Sequence, residues 1–300
     1  VKNMGITRRH VSVTEQTCTD LGHAAMLKAL RRAGWEADSL DGLIFLSQMP
    51  DFNPGTGNAF VLHKHLGLRT DALAFDITLG CSSVPYGLSV AAALLAQPGI
   101  RRLALVIGDN AWSGAPTREH LLAQETFLFG EGTVALLLEH REAPGMDLSL
   151  HSDGSGYHHL YNPCVGYRNS WRRNSPTVRL PDGEVVWWYP NQGNFMDGTE
   201  ITAFSTTTVV DSIKAFLGHI GRTPDSFDGI VLHQANAQIV RTIARQLGVD
   251  MAKVPLSLDR YGNTSGASAL VTVADAYAGR AEDSLDLLLC AFGIGLSWGM

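Results

Sequence analysis

The chain has 300 residues, 45% of them apolar and 17% charged, with 29 acidic against 23 basic side chains and a formal charge of −6. This length and apolar content can bury a substantial core and exceed one small domain. The acidic balance excludes a general nucleic-acid binder, which needs a strongly basic face.

No apolar run approaches the roughly 18 residues that a membrane span requires. Cys18, Cys81, Cys164 and Cys290 are far apart, with no CxxC pair and no metal-ligand spacing to histidine, so free thiols in a reduced, cytoplasmic compartment and no metal site are expected. The opening "VKNMGITRRH" reads neither as a signal peptide nor as a natural start, which leaves room for residues upstream.

Taken in chain order, the elements repeat. Residues 38–44, "DSLDGLI", and residues 225–231, "DSFDGIV", each follow a glycine-containing helical pattern and run into an apolar strand. Next come helices ending in Leu-Gly ("VLHKHLGL", "TIARQLGV") and short strands ("ALAFDI", "VPLSL"). Glycine-containing turns follow ("LGCSS", "YGNTS"), then Ala-rich helices and final strands "LALVIGD" and "DLLLCAFG". Strands alternating with helices predict mostly parallel sheets faced by helices, and two such βαβαβ halves predict an α/β chain with boundaries near 1–145 and 146–300. Between them, residues 152–197 are rich in Gly, Pro, Asn and aromatic residues and lack periodicity, as an irregular functional insertion would be.

Ligands of parallel sheets bind beyond the carboxyl ends of strands. Cys81 and Asn263 both fall there, in corresponding turns, and His233 follows a strand in "GIVLHQAN". Cys81 opens a helix, whose N-terminus favours thiolate, and it is equally a small residue suited to burial. His233 reads as structural or as an acid–base group, and Asn263 as turn chemistry or as a polar donor. In "CAFGIGLSWG" the spaced glycines allow close backbone approach to a ligand, or simply a tight turn. "FGEGTVALLLE" is a turn into a buried strand, without the second glycine pattern of a dinucleotide fingerprint.

In this order, "GITRRH", "CSSVPYGLS", "FGEGTVALLLE", "MDGTEI", "LHQANAQIV", "YGNTSGAS" and "FGIGLSWG" resemble the β-ketoacyl-[acyl-carrier-protein] synthase III group of the thiolase superfamily, over nearly the whole chain. The resemblance implies a thiolase fold, a five-layered αβαβα sandwich of duplicated halves, in a homodimer with catalytic Cys81, His233 and Asn263. It implies transfer of an acyl group to Cys81 and decarboxylative Claisen condensation with a malonyl-type thioester. The amides of Cys81 and Ile294 would form the oxyanion hole, and Phe52, Phe292, Gly293 and Met196 would contact substrate. Acyl-coenzyme A and acyl carrier protein are then substrates and partners, with no separate cofactor. Arg168, Arg172 and Arg173 on the insertion would meet an acidic carrier protein, or form a solvated loop.

The chain departs from the family pattern in three ways. A segment with a first strand and an adenine-stacking aromatic residue is missing before "GITRRH", and the end at Met300 falls inside the last strand, as in an incomplete sequence. "TREHLLAQETFLFGEG" lacks the expected arginine, and Ile294 stands where a small residue is usual. These departures imply a specialised relative in lipid, polyketide or surface-polysaccharide biosynthesis. The alternatives are a Cys81-dependent acyltransferase to an alcohol or amine, and a non-catalytic partner subunit.

Overall fold

The computed structural model describes residues 4–12, 16–52, 55–109, 128–142, 145–161, 177–179, 183, 185–187, 195–280 and 284–300. Helix α1 (Cys18–Ala33) begins at a capping box between Thr17 and Asp20 and ends at Gly34, whose φ of 65° closes the last turn. Strand β1 (Gly42–Leu46), helix α2 (Asn58–Leu66), strand β2 (Leu73–Ile77), helix α3 (Ser83–Leu95), strand β3 (Arg102–Asp109) and strand β4 (Gly132–Glu139) follow. They form a four-stranded sheet in the order β2-β1-β3-β4, parallel except for β4.

Strand β5 (Leu150–Ser152) belongs to a second sheet. Two small antiparallel pairs lie in the insertion: β6 (Leu160–Tyr161) with β9 (Phe195–Met196), and β7 (Thr177–Arg179) with β8 (Val185–Trp187). Helices α4 (Gly198–Thr206) and α5 (Thr208–His219) lead to strand β10 (Gly229–Leu232). Helices α6 (Ala237–Leu247), α7 (Leu258–Tyr261) and α8 (Ser268–Ala276) then precede strands β11 (Leu287–Gly293) and β12 (Ser297–Gly299). The second sheet has the order β10-β11-β12-β5.

Side-chain alternation on the strands stacks these elements in five layers. Leu43 and Phe45 of β1, with Ala104 and Val106 of β3, pack against Met26 and Leu30 of α1 and Leu62 of α2. The intervening Ile44, Leu46, Leu103 and Leu105 face the middle, where they meet Val84 and Leu88 of α3, Ala269 and Leu270 of α8, and Val231 of β10. On the far side Ile230, Leu232, Leu288 and Cys290 cover the faces of α5 and α6. Because the middle cluster draws on both sheets, burial there joins them directly, at about 1.5–3 kcal/mol per large aliphatic side chain.

The repeated Asp-Gly has a structural cause. Asp41 donates its amide to Arg102 O at 2.8 Å and accepts from the amides of Arg101 and Arg102 through Oδ2. Asp228 likewise donates to Asp286 O at 2.8 Å and accepts from the amide of Asp286 at 2.9 Å. The parallel registers match too, Gly42 opposite Leu103 and Gly229 opposite Leu287. Each carboxylate thus pins the start of one strand to the start of its neighbour.

Among the described residues the second half lacks a counterpart of β2, and its sheet gains β5 instead. The strand expected over residues 254–258 does not form: 254–257 are irregular and Leu258 opens α7. Pro255 has no amide hydrogen to give a ladder, and the amide of Ser257 goes instead to Gln234 Oε1 at 3.1 Å.

Candidate active site

The carboxyl ends of the central strands converge on Cys81. The turn before α3 is held by Ser83, whose amide and hydroxyl both donate to Gly80 O, at 2.9 and 2.6 Å. This sets Cys81 at the N-terminal end of the helix, buried. Gly293 lies directly against it: a Cβ there would sit 2.5 Å from Cys81 Cβ and 2.9 Å from Sγ, so glycine is required for the close approach.

Burial pushes the Cys81 thiol up to about 11, and the buried carboxylate of Asp109 adds to this. The Ser265 hydroxyl and the amides of Ile294 and Cys81 pull in the other direction. The expected stabilisation of thiolate by the helix N-terminus is therefore outweighed, because desolvation of the charge is the larger effect. Ser265 Oγ lies 3.9 Å from Cys81 Sγ and accepts from Gln48 Nε2 at 3.3 Å, so its own proton is free to point at sulfur.

Asn263 follows Gly262, whose φ of 70° turns the chain back after α7. Its backbone is clamped by the "FGEG" turn: the Asn263 amide donates to Leu128 O at 2.9 Å, and that of Gly130 donates to Asn263 O at 3.0 Å. This gives "FGEG" a scaffolding role that the sequence left open. Asn263 Oδ1 accepts from the amide of Ser265 at 2.9 Å, so the carboxamide NH₂ is the end it can offer elsewhere.

His233 stands one residue beyond β10, with its amide on Cys290 O at 2.8 Å and its ring edge-on to Phe292, centroids 5.4 Å apart. Burial lowers its pKa to about 4, so the imidazole is neutral at physiological pH. Its Nδ1 lies 2.6 Å from Ser268 Oγ.

The remaining residues fall in different places. Ile294 follows Gly293, and its amide is one of the groups that lower the Cys81 thiol against the effect of burial. Met196 is partly buried on β9, and Phe52 is 57% exposed on the loop after β1. Arg168, Arg172 and Arg173 lie outside the described residues, as does Cys164. Cys18 and Cys290 are buried. Among the described residues no group of three or more His, Cys, Asp or Glu side chains is arranged to hold a metal, and no helix is long and apolar enough to cross a membrane.

Four polar residues near the site were not singled out from sequence: Gln48, Asp109, Ser265 and Ser268. A signal for the first existed in the repeat, since "SQ" follows β1 as "HQ" follows β10.

Residues 75–154 match the family described as 3-oxoacyl-[acyl-carrier-protein (ACP)] synthase III, and residues 217–300 match its C-terminal counterpart. The β-ketoacyl-[acyl-carrier-protein] synthase III of Prochlorococcus marinus is 34% identical over 306 residues, spanning 98% of this chain and 84% of that protein. The chain belongs to the β-ketoacyl-[acyl-carrier-protein] synthase III family. The synthase III of Caldanaerobacter subterraneus is 32% identical, spanning 98% of this chain and 85% of that protein. Among solved structures, the 3-oxoacyl-(acyl-carrier protein) synthase of Burkholderia xenovorans aligns with a TM-score of 0.83 and 31% identity, over 100% of this chain and 83% of that one. The synthase III of Thermus thermophilus aligns with a TM-score of 0.83 and 28% identity, over 100% and 88%. The fold is thus the thiolase fold, and the chain is an acyltransferase of the condensing type.

Proposed function

We propose that this chain carries out acyl transfer to Cys81 followed by decarboxylative condensation with a malonyl-type thioester. Cys81 sulfur attacks the carbonyl of an acyl thioester carried on coenzyme A or acyl carrier protein. The carrier sulfur leaves and takes up the proton that Cys81 gives up. The amides of Cys81 and Ile294 hold the oxyanion, as supported by the pull that both exert on the charge of the Cys81 thiol. A malonyl thioester then loses CO₂, its C–C bonding electrons becoming an enolate. Enolate carbon attacks the acyl group on Cys81, expelling the Cys81 sulfur, which regains a proton from solvent.

The observation that carries this reading is the polarity of the two helper side chains. A condensing site needs neutral donors at the enolate oxygen, since a carboxylate would repel the developing charge. Asn263 has its acceptor end committed to Ser265, and His233 is held neutral by burial.

The same reading divides the chain into a nucleophile-bearing half, 1–145, and a donor-bearing half, 146–300. In support, the first sheet is drawn from residues within 42–139 and the second from residues within 150–299. Phe52, Phe292, Gly293 and Met196 are assigned to substrate contact, and a homodimer in the cytoplasm working with acyl carrier protein completes the proposal.

Intact-mass analysis tests it. After incubation with a panel of acyl-coenzyme A and acyl-carrier-protein donors, an acyl adduct on Cys81 is expected, discharged by malonyl-carrier protein with release of CO₂. No adduct with any donor refutes the reading, and discharge without CO₂ replaces condensation by simple acyl transfer.

A further inference from the structure

We propose that Ser268 is a positioning residue that locks His233 in the tautomer protonated at Nε2, which makes the imidazole a hydrogen-bond donor in the site and removes it as the acceptor of the Cys81 proton. The inference rests on the donor role given to His233 above. It is carried by the geometry of a buried polar ring behind the histidine.

Five residues form this ring, His233, Gln234, Ser257, Ser268 and Thr272, none more than 2% exposed. Thr272 Oγ1 donates to Ser268 O at 2.8 Å, one helical turn back. Its hydrogen is therefore spent, and in the 2.7 Å contact between Ser257 Oγ and Thr272 Oγ1 the donor is Ser257. The Ser257 amide donates to Gln234 Oε1, and Gln234 Nε2 donates to Leu232 O at 2.9 Å. These bonds fix the turn that follows β10. The Gln234 amide then points at Ser268 Oγ, 3.2 Å away.

Ser268 Oγ thus receives one hydrogen from Gln234 and lies 2.6 Å from His233 Nδ1. Two proton arrangements fit the short contact. If Nδ1 carried the hydrogen, the serine hydroxyl would accept twice, and its own hydrogen would be buried without an acceptor. If the hydroxyl donates to Nδ1, that buried hydrogen has a partner, and Nε2, on the other side of the imidazole, is not among the fully buried side-chain atoms left without one. Leaving a buried donor unpaired is the costlier choice, so the second arrangement prevails. A neutral imidazole carries one ring hydrogen, which then sits on Nε2. Nε2–H can donate to a thioester oxygen and has no lone pair to take a proton from sulfur.

The test has a spectroscopic arm and a kinetic arm. In protein labelled with ¹⁵N-histidine, a long-range ¹H–¹⁵N correlation identifies which ring nitrogen is protonated, with the His233 signal assigned by its loss in His233→Gln. Nε2–H is expected in the wild type. In Ser268→Ala the ring is expected to shift toward Nδ1–H or a mixture, and Ser268→Thr, which keeps the hydroxyl, restores Nε2–H.

Kinetically, CO₂ release from malonyl-coenzyme A is expected to fall about 10- to 100-fold in Ser268→Ala, the scale seen for partners that orient a functional imidazole. Acylation of Cys81 in a single turnover falls less. A wild-type ring protonated at Nδ1 overturns the proposal, and this measurement needs no variant. An unchanged tautomer in Ser268→Ala, or equal losses in acylation and CO₂ release, also overturns it. If Cys81 accepts no acyl group from any donor, the condensation reading fails instead, while the tautomer remains decided by the spectrum.

Discussion

Cys81 Sγ and Ser265 Oγ lie 3.9 Å apart, the first at the turn entering α3 and the second, 184 residues later in the chain, at the turn entering α8. Ser265 is held for this contact by Gln48 Nε2 on one side and by the side-chain oxygen of Asn263 on the other. The serine is the group that most opposes the effect of burial on the thiol.

Ser265→Ala is therefore expected to push the Cys81 thiol further up. Losing one hydrogen bond of about 1 kcal/mol slows alkylation by iodoacetamide at fixed pH roughly fivefold. Asp109→Asn removes the nearby negative charge and acts in the opposite direction. With the thiol near 11, the wild-type alkylation rate keeps rising well past pH 9, where an ordinary cysteine levels off. A plateau at pH 9 would show the burial argument to be wrong.

His233 links folding to pH. Its pKa falls from 6.5 in the unfolded chain to about 4 in the fold, so between these values the unfolded state binds a proton that the native state does not. Its contribution is fully present above pH 6.5 and is lost as pH falls through 4, on the order of 3 kcal/mol in total. Urea unfolding across this range should be less steep in pH for His233→Gln than for the wild type. Identical slopes would mean that the histidine is not desolvated.

Asn263→Asp keeps an oxygen for the Ser265 amide and replaces the NH₂ by negative charge. The fold is expected to survive while CO₂ release from malonyl thioester drops about 100-fold or more, the cost typical of losing one oxyanion donor. Cys81 acylation measured by mass should fall far less. A variant that decarboxylates at the wild-type rate removes Asn263 from the chemistry.

Gly293→Ala places a methyl group 2.5 Å from Cys81 Cβ. Forced repacking of this kind costs about 1–3 kcal/mol, and the methyl also covers the approach to sulfur. Lower thermal stability and loss of the acyl adduct are expected together, and normal acylation would contradict the close packing.

Asp41→Ala and Asp228→Ala should destabilise in parallel, by about 0.5–1.5 kcal/mol each, because each removes the carboxylate that pairs strand-end amides. Denaturant midpoints measure this, and a neutral result at both positions would mean that the repeated aspartates do not pin the strands.

These contrasts also mark what the chain discloses before folding. The Asp-Gly repeat, the helices and most of the strands are local patterns of apolar spacing and turn residues, and they are legible without a structure. Cys81, His233 and Asn263 stand out because each follows a strand or opens a turn. Ser265 and Ser268 do not, since serines in the stretch that follows Gly-Asn-Thr read as ordinary turn and helix-start chemistry. Their meaning comes from contacts with Cys81 and His233, far away in sequence. The irregular stretch at 254–257 was hidden for a similar reason: Ser257 gives its amide to a side chain rather than to a neighbouring strand. The direction of the Cys81 shift depends on burial between Gly293 and the turns, which no local pattern records.

The middle apolar cluster, in which Leu46 and Leu105 of one sheet share neighbours with Val231 of the other, has a consequence for divisibility. A cut between β4 and β5 would expose this surface on both fragments and separate the thiol from Ser265, Asn263 and His233. Neither fragment would be a smaller enzyme. Activity would return only on reassociation, and dilution, rather than heat or denaturant, would be the condition that abolishes it first.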